Sequence, residues 1–113
     1  MENSTLTPAQ LRYLVTIDRL HKERRPLRVT TIASDLGLAR SSVHNMLDCF
    51  IDLGLLTRSE KGICRLTEDG EKTVRSVSAS YDAAVRILRT QFPAVRDPSE
   101  AAFLLISKQE HRP

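Results

Sequence analysis

The stretch Val29–Gly70, VTTIASDLGLARSSVHNMLDCFIDLGLLTRSEKGICRLTEDG, decides the fold. Ile32, Ala33 and Leu36 are spaced for the buried face of a short helix, with Thr30 or Thr31 as its cap. Gly37 can take the left-handed backbone that closes a helix in a tight turn, and Leu38 is expected to plug that turn. A second helix from about Arg40 turns Val43, Met46, Leu47, Phe50 and Ile51 inward and ends at Gly54. Leu55–Arg58 and Ile63–Leu66 read as two strands joined by the turn Ser59–Gly62. Such a hairpin is too short to be stable alone and must pack on the helices. Helix, turn, helix and basic hairpin in this order predict a winged helix-turn-helix, the arrangement that sets its second helix in the major groove of DNA.

The face of the second helix opposite the core carries Arg40, Ser41, His44, Asn45 and Asp48. Any amphipathic helix has a polar face. What points to double-stranded DNA is the side-chain type at its leading end: Ser41 and Ser42 permit close approach, while Arg40, His44 and Asn45 can hydrogen-bond base edges or phosphates. In the hairpin Arg58, Lys61 and Arg65 outnumber Glu60, so Arg58 and Lys61 are expected on neighbouring phosphates. Six further cations, Arg12, Arg19, Lys22, Arg24, Arg25 and Arg28, stand against Asp18 and Glu23. That segment reads equally well as a phosphate contact or as a solvated helix end.

Outward from this centre, Thr7-Pro8-Ala9-Gln10 has the form of a capping box. It opens a helix with Leu11, Leu14, Ile17 and Leu20 on one stripe, expected to stop by Arg25 because Pro26 disfavours helical geometry in the residue before it. A long helix starts at Thr67, with Glu68 and Asp69 in the first turn, where the helix dipole favours them. Gly70 is a weak point in its propensity. Val74, Val77, Tyr81, Ala84 or Val85, and Leu88 continue at alternating spacings of three and four, a packing seam. Pro93 breaks it, and Asp97-Pro98-Ser99-Glu100 caps a last apolar helix, Ala101–Ile106, with a frayed tail from Lys108. A helix apolar all round needs cover on all sides, and a second copy of the chain is the natural cover. Tyr81, Val85, Leu88, Phe103, Leu104 and Leu105 are the expected self-association residues. The fold class is mostly α with a small β-hairpin wing: residues 1–66 form the DNA-binding part and residues 67–113 a helical dimerisation region, continuous with it in one compact unit.

A chain of 113 residues, 41% hydrophobic and 27% charged with net charge +3, is expected to form one folded domain, and is small for a regulator with a separate sensing domain. No apolar run approaches the ~20 residues of a membrane span, and Met1–Ala9 lacks the basic start and apolar core of a signal peptide, which predicts a cytoplasmic protein. Cys49 and Cys64 lack zinc-site spacing and are expected as reduced thiols. Neither a phosphate-binding Gly loop nor a nucleophile with a base in sequence context is present, so no enzyme, small-molecule substrate or cofactor is expected.

The passage IASDLGLARSSVHNMLDCFIDLGLL, followed by Leu-Thr-x-x-Gly at Leu66–Gly70, resembles the diphtheria-toxin-repressor and manganese-transport-regulator family of winged-helix metalloregulators. The likeness runs from about Leu6 to Ser107, and the long helix followed by a short apolar one after Pro98 favours this family over MarR-like repressors, whose wing pattern is similar. The resemblance implies a cytoplasmic homodimer that binds a palindromic operator as a repressor. It also implies a metal site whose ligand positions fall on Arg12, Val15, Tyr81, Glu100, Phe103 and Leu104. Only Glu100 is a carboxylate, and hard divalent cations need several converging oxygen or imidazole ligands. His21, His44 and His111 lie elsewhere. The expectation is a regulator of this type without a metal, with a MarR-like regulator of unknown ligand or a winged-helix protein-interaction module as the alternatives.

Overall fold

A computed structural model describes residues 6–108; residues 1–5 and 109–113, and with them His111 and most of the expected frayed tail, lie outside it. Its elements are α1 (Pro8–Lys22), α2 (Val29–Leu36), α3 (Arg40–Asp52), β1 (Leu56–Arg58), β2 (Cys64–Leu66), α4 (Glu68–Gln91) and α5 (Pro98–Ile106). The protein is mostly helical, with a two-stranded wing after the helix-turn-helix and long C-terminal helices, as the sequence predicts.

The capping box at Thr7 forms in full: the Gln10 N–H donates to the Thr7 hydroxyl at 3.1 Å, and the Thr7 N–H donates to the Gln10 side chain at 3.0 Å. Leu11, Leu14, Ile17 and Leu20 are fully buried, making α1 the central rod of the core. On one side it meets α2 and α3, with Tyr13 edge-on to Phe50 at 6.2 Å. On the other it packs along α4 and α5. The helix stops at Lys22, ahead of Pro26, because Arg24 adopts a left-handed φ of 59°.

Two details of the turn region differ from expectation. Neither Thr30 nor Thr31 caps α2; the N-cap is Arg28, and no side chain bonds to the first turn. The start is fixed instead from outside the helix. Leu27 is held as an extended residue by the Cys64 N–H, which donates to its carbonyl at 2.9 Å, so helical geometry begins almost at once after it. Leu38 does not plug the turn: it is 42% exposed. Gly37, with φ of 65°, and the Leu38 N–H bonded to the Ala33 carbonyl at 3.0 Å close the turn through the backbone, leaving the Leu38 side chain free to point outward.

In α3, Val43, Leu47 and Phe50 are buried, while Met46 and Ile51 are half-buried at the edge of the core. The wing pairs Leu56 with Leu66, Thr57 with Arg65 and Arg58 with Cys64, antiparallel, so Leu56 and Cys64 face in and Thr57 and Arg65 face out. Gly62 supplies the positive φ of 76° that its turn requires.

Thr67 joins the wing to α4. Its hydroxyl accepts from the Gly70 N–H at 2.9 Å and donates to the Gly54 carbonyl at 2.6 Å. At its far end α4 stops at Gln91, and α5 folds back on it with Asp97 capping the Glu100 N–H at 3.2 Å.

Candidate nucleic-acid interface

The core of α3 leaves one face free. Val43, Leu47 and Phe50 point inward, which turns Arg40, Ser41, Ser42, His44 and Asn45 outward; all five are exposed. Ala39, the N-cap, offers no side-chain oxygen, so the first N–H groups of α3 are left without a side-chain partner beside Ser41 and Ser42. A free helix N-terminus carries partial positive charge and suits a phosphate. The structure thus brings the five expected α3 residues onto one open surface.

Beside that surface stands the wing. Lys61 is at its exposed tip, and Arg65 is exposed on β2; among the described residues neither is ion-paired. Arg58 is different. Its Nη1 lies 2.9 Å from Asp48 Oδ1, and its side chain is only 28% exposed. Burial alone would lower the Arg58 pKa, but hydrogen bonding and charge attraction from Asp48, with a smaller contribution from Cys64, outweigh it and raise the pKa above the ordinary guanidinium value. The other oxygen of Asp48 lies 3.2 Å from His44 Nδ1, one helical turn back. The pairing of Asp48 with His44 is legible in sequence as an i, i+4 spacing. Its contact with Arg58 needs the wing folded against α3, and no sequence spacing signals it.

The basic segment before α2 is partly self-neutralised. Arg19 pairs with Asp35 and with Glu23, Lys22 with Asp18, and Arg25 with Glu23 and Asp35. Arg24 and Arg28 remain exposed and unpaired among the described residues.

Of the six positions at which the resemblance places metal ligands, Arg12, Tyr81 and Phe103 meet where α1, α4 and α5 come together. The Arg12 guanidinium carbon lies 5.0 Å from the centre of the Phe103 ring, and Tyr81 stacks on that ring at 4.6 Å with an interplanar angle of 21°. The Tyr81 hydroxyl donates to Ser99 Oγ at 2.8 Å. Val15 is half-buried against the core, Leu104 is exposed, and exposed Glu100 offers its backbone N–H to the Asp97 cap of α5. A cation over stacked rings is the opposite of the anionic oxygen cage that Mn²⁺ or Fe²⁺ requires, so these residues do not fit a divalent metal. Among the described residues no three His, Cys, Asp or Glu are grouped to hold one.

Of the expected self-association residues, Leu88 and Phe103 are buried within the chain, and Tyr81 and Val85 are half-buried. Leu104 and Leu105 are 52% and 54% exposed. Ile87 at 55% and Phe92 at 57% add exposed apolar surface on the C-terminal helices that the sequence reading did not single out.

Residues 12–60 match the IclR helix-turn-helix domain family; the match ends in the wing turn and leaves the C-terminal helices outside it. Several solved structures share the architecture, among them the three that follow. The hypothetical protein SSo2273 from Sulfolobus solfataricus aligns with a TM-score of 0.68 at 21% identity, over 94% of this chain and 81% of its own. T. acidophilum IdeR aligns with a TM-score of 0.64 at 22% identity, over 88% of this chain and 47% of its own. The manganese regulator SloR aligns with a TM-score of 0.68 at 17% identity, over 97% of this chain and 49% of its own. The chain thus spans about half the length of IdeR and of SloR, and at these identities the likeness is one of fold. No curated protein sequence matches the chain. The fold and the helix-turn-helix match define a winged helix-turn-helix domain of the DNA-binding transcription-regulator class, not an enzyme. No helix among the described residues is long and apolar enough to cross a membrane.

Proposed function

We propose that this protein is a cytoplasmic, homodimeric transcriptional repressor that reads a palindromic operator. The observation that carries the reading is the open face of α3, where Arg40, Ser41, Ser42, His44 and Asn45 stand together beside a basic wing. Arg40, His44 and Asn45 read base edges in the major groove, Ser41 and Ser42 with the free α3 N-terminus hold a phosphate, and Arg58 and Lys61 meet the adjacent backbone. Residues 67–113 supply the dimer contact through α4 and α5. Two-fold symmetry then sets two copies of α3 about one DNA turn, ~34 Å, apart.

Diphtheria-toxin-repressor-like architecture comes here without metal control. The stack of Arg12, Phe103 and Tyr81 supports that part of the reading, because it fills the α1–α4–α5 junction with a cation and two rings. Selection of bound sequences from random duplex DNA by the purified protein, in chelator, tests the whole proposal. An enriched inverted repeat is the expected outcome. No enrichment with or without added Mn²⁺ would point to a protein partner for the α3 face, and enrichment that needs Mn²⁺ would overturn the metal-free reading.

A further inference from the structure

An acidic side chain in a surface that meets DNA is unfavourable unless it has a task, because it repels phosphates and offsets a nearby cation. Asp48 is such a residue. It sits on α3 one turn beyond His44, and both its oxygens are engaged: Oδ1 at 2.9 Å from Arg58 Nη1 of β1, and Oδ2 at 3.2 Å from His44 Nδ1. One carboxylate therefore holds a residue of the helix face and a residue of the wing at once. The contact holds Arg58 against α3, with its side chain 28% exposed. Lys61, at the same wing, has no such partner among the described residues.

We propose that Asp48 is a specificity-determining positioning residue: by holding His44 and Arg58 on one carboxylate it fixes the wing to the recognition helix and lowers affinity for DNA of unrelated sequence. The inference rests on the DNA-reading function proposed above. Its physical basis has two parts. Binding to unrelated DNA comes almost wholly from cations replacing counterions on phosphates, so a carboxylate that competes for Arg58 weakens it directly. Binding to the right site depends on α3 and the wing arriving in one fixed relation. There the pre-set Arg58, whose planar fork keeps other N–H donors to offer a phosphate, loses little. Asp48 separates the two kinds of binding.

The test compares the wild type, Asp48→Asn, Arg58→Met and the double variant on two probes: the selected operator duplex and a duplex of scrambled sequence, each over a salt series. Asp48→Asn keeps the size of the side chain and removes the charge. We expect it to tighten binding to the scrambled duplex about three- to tenfold and to steepen its salt dependence by about one unit. The operator should gain less, so the ratio of operator to scrambled affinity falls. With Arg58→Met already present, adding Asp48→Asn should change that ratio less than about twofold, because the partner is gone. An unchanged scrambled-duplex affinity and salt slope in Asp48→Asn would overturn the proposal. So would a full effect persisting in the Arg58→Met background, which would trace it to direct repulsion of phosphates by Asp48 or to His44, not to the hold on Arg58. Failure of the wild type itself to prefer any duplex would remove the DNA-reading function and this inference with it, and that failure appears before any variant is measured. Thermal melting of all four proteins separates these outcomes from misfolding, since both side chains are at the surface.

Discussion

Gly70 lies so close against Leu55 that a Cβ on it would overlap the Leu55 carbonyl oxygen. That same carbonyl accepts the Thr67 N–H at 3.0 Å, so the first turn of α4 is docked on the chain where it enters the wing. Any side chain at position 70 would push the long helix off the wing. Gly70→Ala gains up to about 1 kcal/mol in helix propensity, but the forced backbone shift outweighs it, for a net loss of about 2 kcal/mol or more. Urea unfolding measures this; a midpoint equal to or above that of the wild type would show that α4 can move without cost.

Thr67 performs two tasks at the same joint, capping Gly70 and donating to the Gly54 carbonyl. Thr67→Ala should cost about 1–2 kcal/mol, while Thr67→Ser, which keeps the hydroxyl, should restore most of it. Equal destabilisation by Ala and Ser would mean that the methyl group, not the hydroxyl, holds the joint.

What the sequence made legible was whatever depends on neighbours in the chain. The capping box at Thr7, the left-handed Gly37, the α3 core residues Val43, Leu47 and Phe50, and the turn at Gly62 all follow from local spacing. The five exposed α3 residues were legible for the same reason, as the complement of the core stripe. Gly70 reads locally as a poor helix former, and its reason, the Leu55 carbonyl, lies fifteen residues back in sequence and only folding brings it near. The start of α2 was misplaced because a bond from Cys64 to Leu27, not a threonine cap, sets it. Asp48–Arg58 and Arg12–Phe103 are likewise contacts between elements, invisible to periodicity.

The stack at the α1–α4–α5 junction should account for part of the stability of α5. Phe103→Ala removes a buried ring that both Arg12 and Tyr81 cover, and should cost about 3–5 kcal/mol. Arg12→Ala removes only the cation and should cost about 0.5–1 kcal/mol. Melting temperatures of the wild type in Mn²⁺ and in chelator should coincide. A rise with Mn²⁺ that saturates at one ion per chain would mean that a metal binds the native state at some other site.

On the reading surface, Asn45→Ala and Arg40→Ala should each weaken operator binding by about 1–3 kcal/mol and relax sequence preference at the base each one meets. Lys61→Ala should act differently, weakening all duplexes alike and lowering the salt slope by about one unit. Binding isotherms on operator and scrambled DNA across salt distinguish the two. A sequence-selective loss in Lys61→Ala would make the wing tip a base reader.

The dimer contact is best probed where the single chain leaves apolar surface open. Phe103 and Leu88 are unsuitable targets, since they are buried within the chain and their loss would unfold it. Leu104 and Leu105 sit on α5 beside buried Phe103 and Ile106 yet are about half exposed, at 52% and 54%. Charging both, in Leu104→Glu with Leu105→Glu, leaves the buried side of α5 intact and sets charges where a second copy would desolvate them. An unpaired buried charge is costly enough to prevent association. The wild type should sediment as a dimer at micromolar concentration and the double variant as a folded monomer with an unchanged far-ultraviolet spectrum. Its affinity for a palindromic operator should fall towards that for a half-site, because the second recognition helix no longer arrives with the first. A wild type that sediments as a monomer would sink the two-fold model. A double variant that remains dimeric would move the interface off α5, towards exposed Ile87 on α4.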